Sequence, residues 1–249
     1  QMMMGRLTQD EDMPIESKMI SKTVESSQKK VEGRNFGIRK NTLQYDDVMN
    51  KQRELIYRQR NQVLDGMDLN DTILKMLDTN IDENVRNYLA GDKKDDWNIN
   101  GLREKYLGWL TVAEDFDDIN SVEVDEVIET LTERGHQRLA EKREMLGDDM
   151  YNDFQRMVLL RNVDTLWMDH IDAMDDLKQG IHLRSYAQQD PVVAFRMESY
   201  DMFDEMTATI RENTVRMLLT LIPRRREDVE RKAVAKVTAT SSGGDDTVK

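Results

Sequence analysis

The chain has 249 residues, of which 38% are hydrophobic, 34% charged and 6% aromatic; 49 acids against 36 bases give a formal charge of -13. Less apolar and more charged than an average globular domain, it is expected to be elongated, and its acidic balance excludes attraction to nucleic acid or anionic lipid over the whole surface, leaving room for a local basic patch. The absence of cysteine excludes disulfides and thiolate metal sites, no apolar run is long enough to span a bilayer, and the first residues lack the basic and apolar regions of a signal peptide. A cytoplasmic protein is expected, and its beginning at Gln1 is read as that of a piece of something longer. Its three prolines, Pro14, Pro191 and Pro223, leave most of the chain without a helix breaker, so the expected fold class is all-α.

The first element is a long helix over 14–65. Apolar residues recur near heptad spacing at Ile20, Val24, Val31, Ile38, Tyr45, Val48 or Met49, Ile56 and Val63. Some 50 residues at ~1.5 Å each would reach roughly 75 Å. With the rest of its surface charged or polar, such a helix is expected to bridge other domains or take partners along its length. The spacing of Gly33 and Gly37 would permit a close helix contact, or would mark a weak stretch with no packing role.

Over 66–147 the composition changes. Glycines at 66, 91, 101, 108, 135 and 147 are expected to break short amphipathic helices, such as 71–89 and 99–110, into a small helical insert. The stretch 111–133 carries Glu114, Asp115, Asp117, Asp118, Glu123, Asp125, Glu126, Glu129 and Glu133 with no lysine or arginine. It reads as a solvated face, the alternative being a docking surface for a basic partner.

The strongest periodicity follows: Leu159, Val163, Leu166, His170, Met174, Leu177 and Ile181 fall on one helical face. A second helix, with Asp190 as N-cap and Pro191 at its first position, carries Tyr200, Phe203, Met206, Ile210, Thr214, Met217 and Leu221, and Pro223 ends it. Two such helices with a short connection are expected to form an antiparallel hairpin over 148–222. His170 reads as a packing residue hydrogen-bonded at the interface. Most of the 17 methionines, including Met157, Met174, Met206 and Met217, read as core filling. The remainder, 223–249, is polar and expected to be a disordered tail or linker.

Few constellations that carry chemistry are present. No Gly-Lys dipeptide and no GxGxxG occurs, so no nucleotide site is legible. The three histidines, His136, His170 and His182, are scattered, and the one ExxH, Glu133 with His136, falls short of a di-iron set, so no metal or other cofactor is expected in this chain. No catalytic nucleophile is signposted. The hairpin tip, 181–189, is more informative. It exposes apolar and amphipathic groups, Leu183, Tyr186 and Gln188 among them, with Arg184 as its one formal charge. Tyr186 offers a ring and a hydroxyl to a partner of varied sequence, or else plugs its own turn.

Several strings are recognisable beyond these patterns. VEGRNFGIRKNTLQYDDVMNKQRELIY (31–57), WNINGLREKYLGWL (97–110), LLRNVDTLWMDHIDAMDDLKQGIHLRSYAQQDP (159–191) and RMESYDMFDEM (196–206) resemble the C-terminal portion of the SecA family, the ATP-driven motors of bacterial protein secretion. The resemblance implies the end of a second motor domain at 1–13, the long scaffold helix at 14–65, a helical wing at 66–147, a two-helix finger at 148–222 and a C-terminal linker at 223–249. It implies that Tyr186, with Arg184, Leu183 and Gln188, contacts the moving polypeptide at the mouth of the SecYEG channel. It implies coupling to the family's own ATP- and Mg2+-binding motor domains through Arg39, Tyr45, Asp46, Asp47, Asn50 and Arg53. Implied partners are SecYEG, unfolded preproteins, those motor domains and, through the parent, an anionic membrane surface; the implied location is cytoplasmic and peripheral to the inner face of the plasma membrane. The family's cysteine-bearing zinc element has no counterpart. Competing readings are a self-contained helical adaptor that binds a protein partner and, more remotely, a helical metalloenzyme.

Overall fold

The structure, a computed structural model, describes residues 18–91, 93–116, 123–184 and 190–223. Six α-helices dominate it and, among the described residues, β pairing is confined to an isolated bridge between Leu107 and Thr111. The fold is all-α. No helix among the described residues is long and apolar enough to cross a membrane.

Helix α1 (Lys18–Leu64) is continuous for 47 residues. Salt links one turn apart, Lys29 to Glu25 at 2.9 Å and Lys51 to Asp47 at 2.8 Å, support its exposed surface. The helix runs through Gly33 and Gly37 uninterrupted, and nothing lies within 4 Å of where a side chain would start at either, so the expected close contact is not made among the described residues. At its end the amide of Met67 donates to the Gln62 carbonyl and that of Gly66 to Val63, with Gly66 at φ +91, a Schellman close that favours glycine. The heptad stripe is only half used. Tyr45, Val48, Ile56 and Val63 are buried, whereas Val24, Val31 and Ile38 are exposed, joined in solvent by Phe36 and Leu43.

The expected insert consists of α2 (Asn70–Tyr88), a 3-10 turn (Lys94–Asp96), α3 (Ile99–Tyr106) and α4 (Val124–Leu146). Helix α2 buries Ile73, Leu77, Ile81 and Val85, one residue per turn. Asn98 caps α3 by accepting from the Gly101 amide at 3.0 Å. That helix stops at Tyr106, short of the expected 110. There Gly108, at φ +85, turns the chain, and guanidinium groups hold the following loop by its carbonyls: Arg103 on Ala113, Arg134 on Leu110 and Arg138 on Trp109. Gly135 overturns its expectation. It lies in the middle of α4, where a Cβ would stand 2.6 Å from a Leu77 methyl, so it permits the close approach of α4 to α2 and breaks nothing.

The acidic stretch is mostly solvated. Glu114, Glu126, Glu129 and Glu133 are exposed, while Glu123 and Asp125 pair with Lys94 and Arg86, and Asp117 and Asp118 lie outside the described residues. Asp115 differs: burial pushes its carboxyl up, but Arg134 at 2.6 Å and the Val112 amide outweigh that and hold it below the usual range.

Helices α5 (Asp148–Arg184) and α6 (Pro191–Thr220) form the hairpin, with Asp190 Oδ1 accepting from the Val192 amide at 2.8 Å to start α6. Asn162 reaches Thr214, and the rings of His170 and Phe203 meet, an antiparallel register. The α6 stripe differs from expectation at both ends. Tyr200 (55% exposed) and Leu221 (48%) face out, and Val192, Phe195, Ser199 and Leu218 face in. Near its start the physical reason is that α6 packs against α1 as well as α5, and the small Ser199 admits α1 where the bulk of Tyr200 would not; at the other end Leu221 lies past the last turn of α6, where Lys142 of α4 holds the backbone. Met174 and Met206 are buried and Met217 partly so, but Met157 is exposed.

Insert and hairpin share a core: Ile56 and Val63 of α1, the apolar faces of α2, α3 and α4, and the base of the hairpin from Phe154 to Trp167 and Phe203 to Leu218 form one cluster. Lys142 of α4 fastens this body. Its buried ammonium donates to the carbonyls of Leu218, Leu219 and Leu221 at 2.6, 3.0 and 2.7 Å, closing the C-terminal end of α6 where the helix dipole favours a cation. Gly135→Leu should therefore destabilise the chain by about 1–3 kcal/mol through overpacking against Leu77 and Leu110. Urea unfolding followed by circular dichroism measures this; an unchanged midpoint would show that α2 and α4 separate freely.

Candidate functional site

The joint between α1 and the hairpin holds the clearest arrangement of polar groups in the core. Helix α1 lies in the groove between α5 and α6, antiparallel to α5 and parallel to α6. Arg60 reaches Asp164 at 2.8 Å near one end and Asp46 reaches Lys178 at 2.8 Å near the other. Both pairs are half exposed, so they set register more than they add stability. Between them, the Gln52 amide nitrogen donates to the Ser199 carbonyl of α6 at 3.0 Å. That fixes the Gln52 Oε1 toward α5, where His170 Nε2 donates to it at 3.0 Å. The imidazole lies between Trp167 and Phe203, with ring centroids 5.6 and 5.8 Å away. Burial pushes His170 below its ordinary value, which favours the neutral ring, and the Gln52 oxygen selects the tautomer with its hydrogen on Nε2.

Toward the tip, a second apolar cluster of Tyr45, Val48, Met174, Ile181, Val192 and Phe195 closes the three-helix contact. The rings of Tyr45 and Phe195 are 4.5 Å apart, and burial, with Asp190 nearby, raises the Tyr45 phenol. The sequence-derived coupling residues divide accordingly. Tyr45 is buried against the hairpin and Asp46 bridges to Lys178, whereas Arg39, Asp47, Asn50 and Arg53 lie on the exposed side of α1. Asp47 pairs with Lys51, and Arg53 donates to Asn50, both within the helix. Of the tip residues, Leu183 and Arg184 end the backbone of α5, while Tyr186 and Gln188 lie outside the described residues, as does the tail over 224–249.

Sequence reasoning missed Gln52, Ser199, Lys178 and Phe195 as members of the joint. Gln52 left a signal, for it falls seven residues after Tyr45, and a polar residue on an apolar seam is a known device for fixing register. His136, the member of the ExxH that drew attention, sits against Asp78 at 2.7 Å, between α4 and α2. No group of three or more potential ligands stands together among the described residues.

The joint has a pH signature. His170 binds its proton less readily folded than unfolded, so folding stability is retained above the unfolded value of about 6.5 and falls as the pH drops below it. Urea midpoints measured between pH 8 and pH 5 should therefore fall more steeply for the native chain than for His170→Gln. Parallel slopes would mean that the imidazole titrates as freely in the core as in water.

Residues 14–222 match the SecA Wing and Scaffold domain. The chain is 43% identical to the protein translocase subunit SecA of Heliobacterium modesticaldum across 86% of its own length and 26% of that relative. It is 44% identical to SecA 1 of Clostridioides difficile, with 96% and 26% covered, and 45% identical to SecA of Clostridium perfringens, with 98% and 30% covered. It thus spans about a quarter to a third of the curated relatives it matches. With the long α1, a helical insert on a shared core and a two-helix hairpin all within the matched residues, the chain belongs to the SecA family, as its wing and scaffold region.

Proposed function

We propose that this chain is the transmission of a SecA-like preprotein translocase. ATP is hydrolysed in motor domains elsewhere in the parent, and the chain couples that cycle to the movement of secretory polypeptides through the SecYEG channel. The observation that carries this reading is the division of α1. Its second half is bonded into the hairpin joint, while its first half projects with Val24, Val31, Phe36, Ile38 and Leu43 exposed. An apolar stripe left in solvent on a projecting helix calls for a partner, and the parent's motor domains are the one this reading assigns.

The mechanics follow from stiffness. A helix of 47 residues spans about 70 Å, and displacement of one end is delivered to the other with little loss. Tyr45 and Asp46 hold the hairpin to this rod; Arg39, Asp47, Asn50 and Arg53 present polar groups to the motor domains. The hairpin in turn carries Leu183, Arg184, Tyr186 and Gln188 toward the channel mouth and the preprotein. On this reading the parent works in the cytoplasm at the inner face of the membrane, in touch with anionic lipid. The residues of this chain do not fit ATP with Mg2+, for no glycine-rich phosphate loop occurs, so the nucleotide belongs to the motor domains.

In the full-length parent, Tyr186→Ala should impair preprotein translocation into vesicles far more than basal ATP hydrolysis, with Tyr186→Met tolerated. Equal loss of both activities would reduce the tip to a structural turn. The chain by itself should give no ATP-binding heat in calorimetry, and saturable binding at micromolar ATP would refute the assignment of the nucleotide to other domains.

A further inference from the structure

Where α1, α2, α5 and α6 meet, the fold leaves a cavity of about 410 Å³, within the range of small-molecule sites (about 300–1,000 Å³). At about 30 Å³ for each non-hydrogen atom, the share of one molecule in liquid water, it has room for roughly a dozen. Its walls are largely apolar, with Met67, Met76, Val163 and Ile210 among them. Met67 is 47% exposed, so its thioether can swing aside and adapt to the shape of a guest. Gln59, Gln62 and Thr72 supply uncharged polar groups to the lining. Its charged residues are Arg60 and Arg211, and each spends its charge within the protein, on Asp164 at 2.8 Å and on Glu83 at 2.7 Å. Among the described residues the walls therefore offer hydrocarbon and neutral hydrogen-bonding groups, with no uncompensated charge.

We propose that this cavity binds one uncharged, mainly apolar molecule of roughly a dozen non-hydrogen atoms, of the fatty-alcohol type. The hydrocarbon part lies along Met67, Met76, Val163 and Ile210, and the hydroxyl stays among Gln59, Gln62 and Thr72, whose amide and hydroxyl groups can both give and take a hydrogen bond. Charge selects the class. With both arginines already neutralised, a charged group drawn into the space gives up its hydration and finds no free partner, whereas an uncharged one loses little. Four helices wall the site, so its occupant stabilises the seat of α1 against insert and hairpin by mass action.

The test is a titration of the complete chain with straight-chain 1-alkanols, hexanol to decanol, followed in methionine-methyl NMR spectra. Binding should saturate at one molecule per chain, shifting Met67 and Met76 and leaving the exposed Met145 and Met197 in place. Affinity should rise about fourfold with each added methylene, as expected when one CH2 leaves water. Octanoate and octylammonium, equal to octanol in length and opposite to each other in charge, should both bind at least about tenfold more weakly than octanol. Val163→Phe, which fills the space from its own wall, should lower the affinity for octanol by at least about tenfold. The proposal is overturned by shifts that do not saturate or that spread over the exposed methionines, by either charged homologue binding as tightly as octanol, or by undiminished affinity in Val163→Phe. The spectra and the charge comparison need no variant, so they decide the matter even if Val163→Phe fails to fold.

Discussion

A primary amide buried among three helices must have both of its ends engaged, because either end left bare in the core costs about as much as several good contacts return. Gln52 meets that requirement in one position only, with its nitrogen on the Ser199 carbonyl and its oxygen on the His170 ring. Sliding α1 by one turn would strand all three groups. Apolar contacts alone would tolerate such a slide, since the seam repeats with the heptad and one Val or Ile replaces another at little loss. The polar node therefore specifies how the long helix is seated, while the surrounding apolar side chains supply the stability of the seat.

The same logic explains where the molecule is rigid. From Ile56 of α1 to Leu218 of α6, one continuous core ties the helical insert to the base of the hairpin, and Lys142 adds a buried cation that joins α4 to the end of α6. Burial pushes that ammonium below its ordinary value, yet three carbonyls at a helix end are the partners best able to hold it charged. The surface ion pairs, by contrast, are screened and contribute little each. Rigidity thus concentrates at the base, and two members leave it in the direction of the tip: the first half of α1 and the far end of the hairpin.

The sequence made the helices and the hairpin legible because their signals are local. The Asp190–Pro191 start, the Gly147 close at φ +76 and the three- and four-residue spacing of α5 can each be read without knowing what lies opposite. The errors arose where a neighbour decides. Tyr200 reads as core from spacing alone, but α1 occupies the groove and selects the small Ser199 instead. Gly135 reads as a breaker, but its missing side chain is filled by Leu77. The exposed Val24, Val31 and Ile38 read as a seam, and nothing among the described residues covers them. The joint residues on α5 and α6 had no such local mark, since Lys178 and Phe195 resemble any other lysine and phenylalanine until the helices are docked.

A transmission must pass displacement without passing it everywhere. If motor domains act on the projecting half of α1, the load reaches the hairpin first through Tyr45 on Phe195 and Asp46 on Lys178, close to the tip, and only then at Gln52 and Arg60. These contacts differ in kind. The aromatic pair resists separation but allows rolling, the half-exposed ion pair yields readily, and the buried Gln52 node yields only with its hydrogen bonds broken. Small movements of α1 would therefore tilt the far end of the hairpin about the Gln52 node while the core shared with the helical insert stays fixed, which places the pivot of the proposed lever within the second half of α1 and not at its ends.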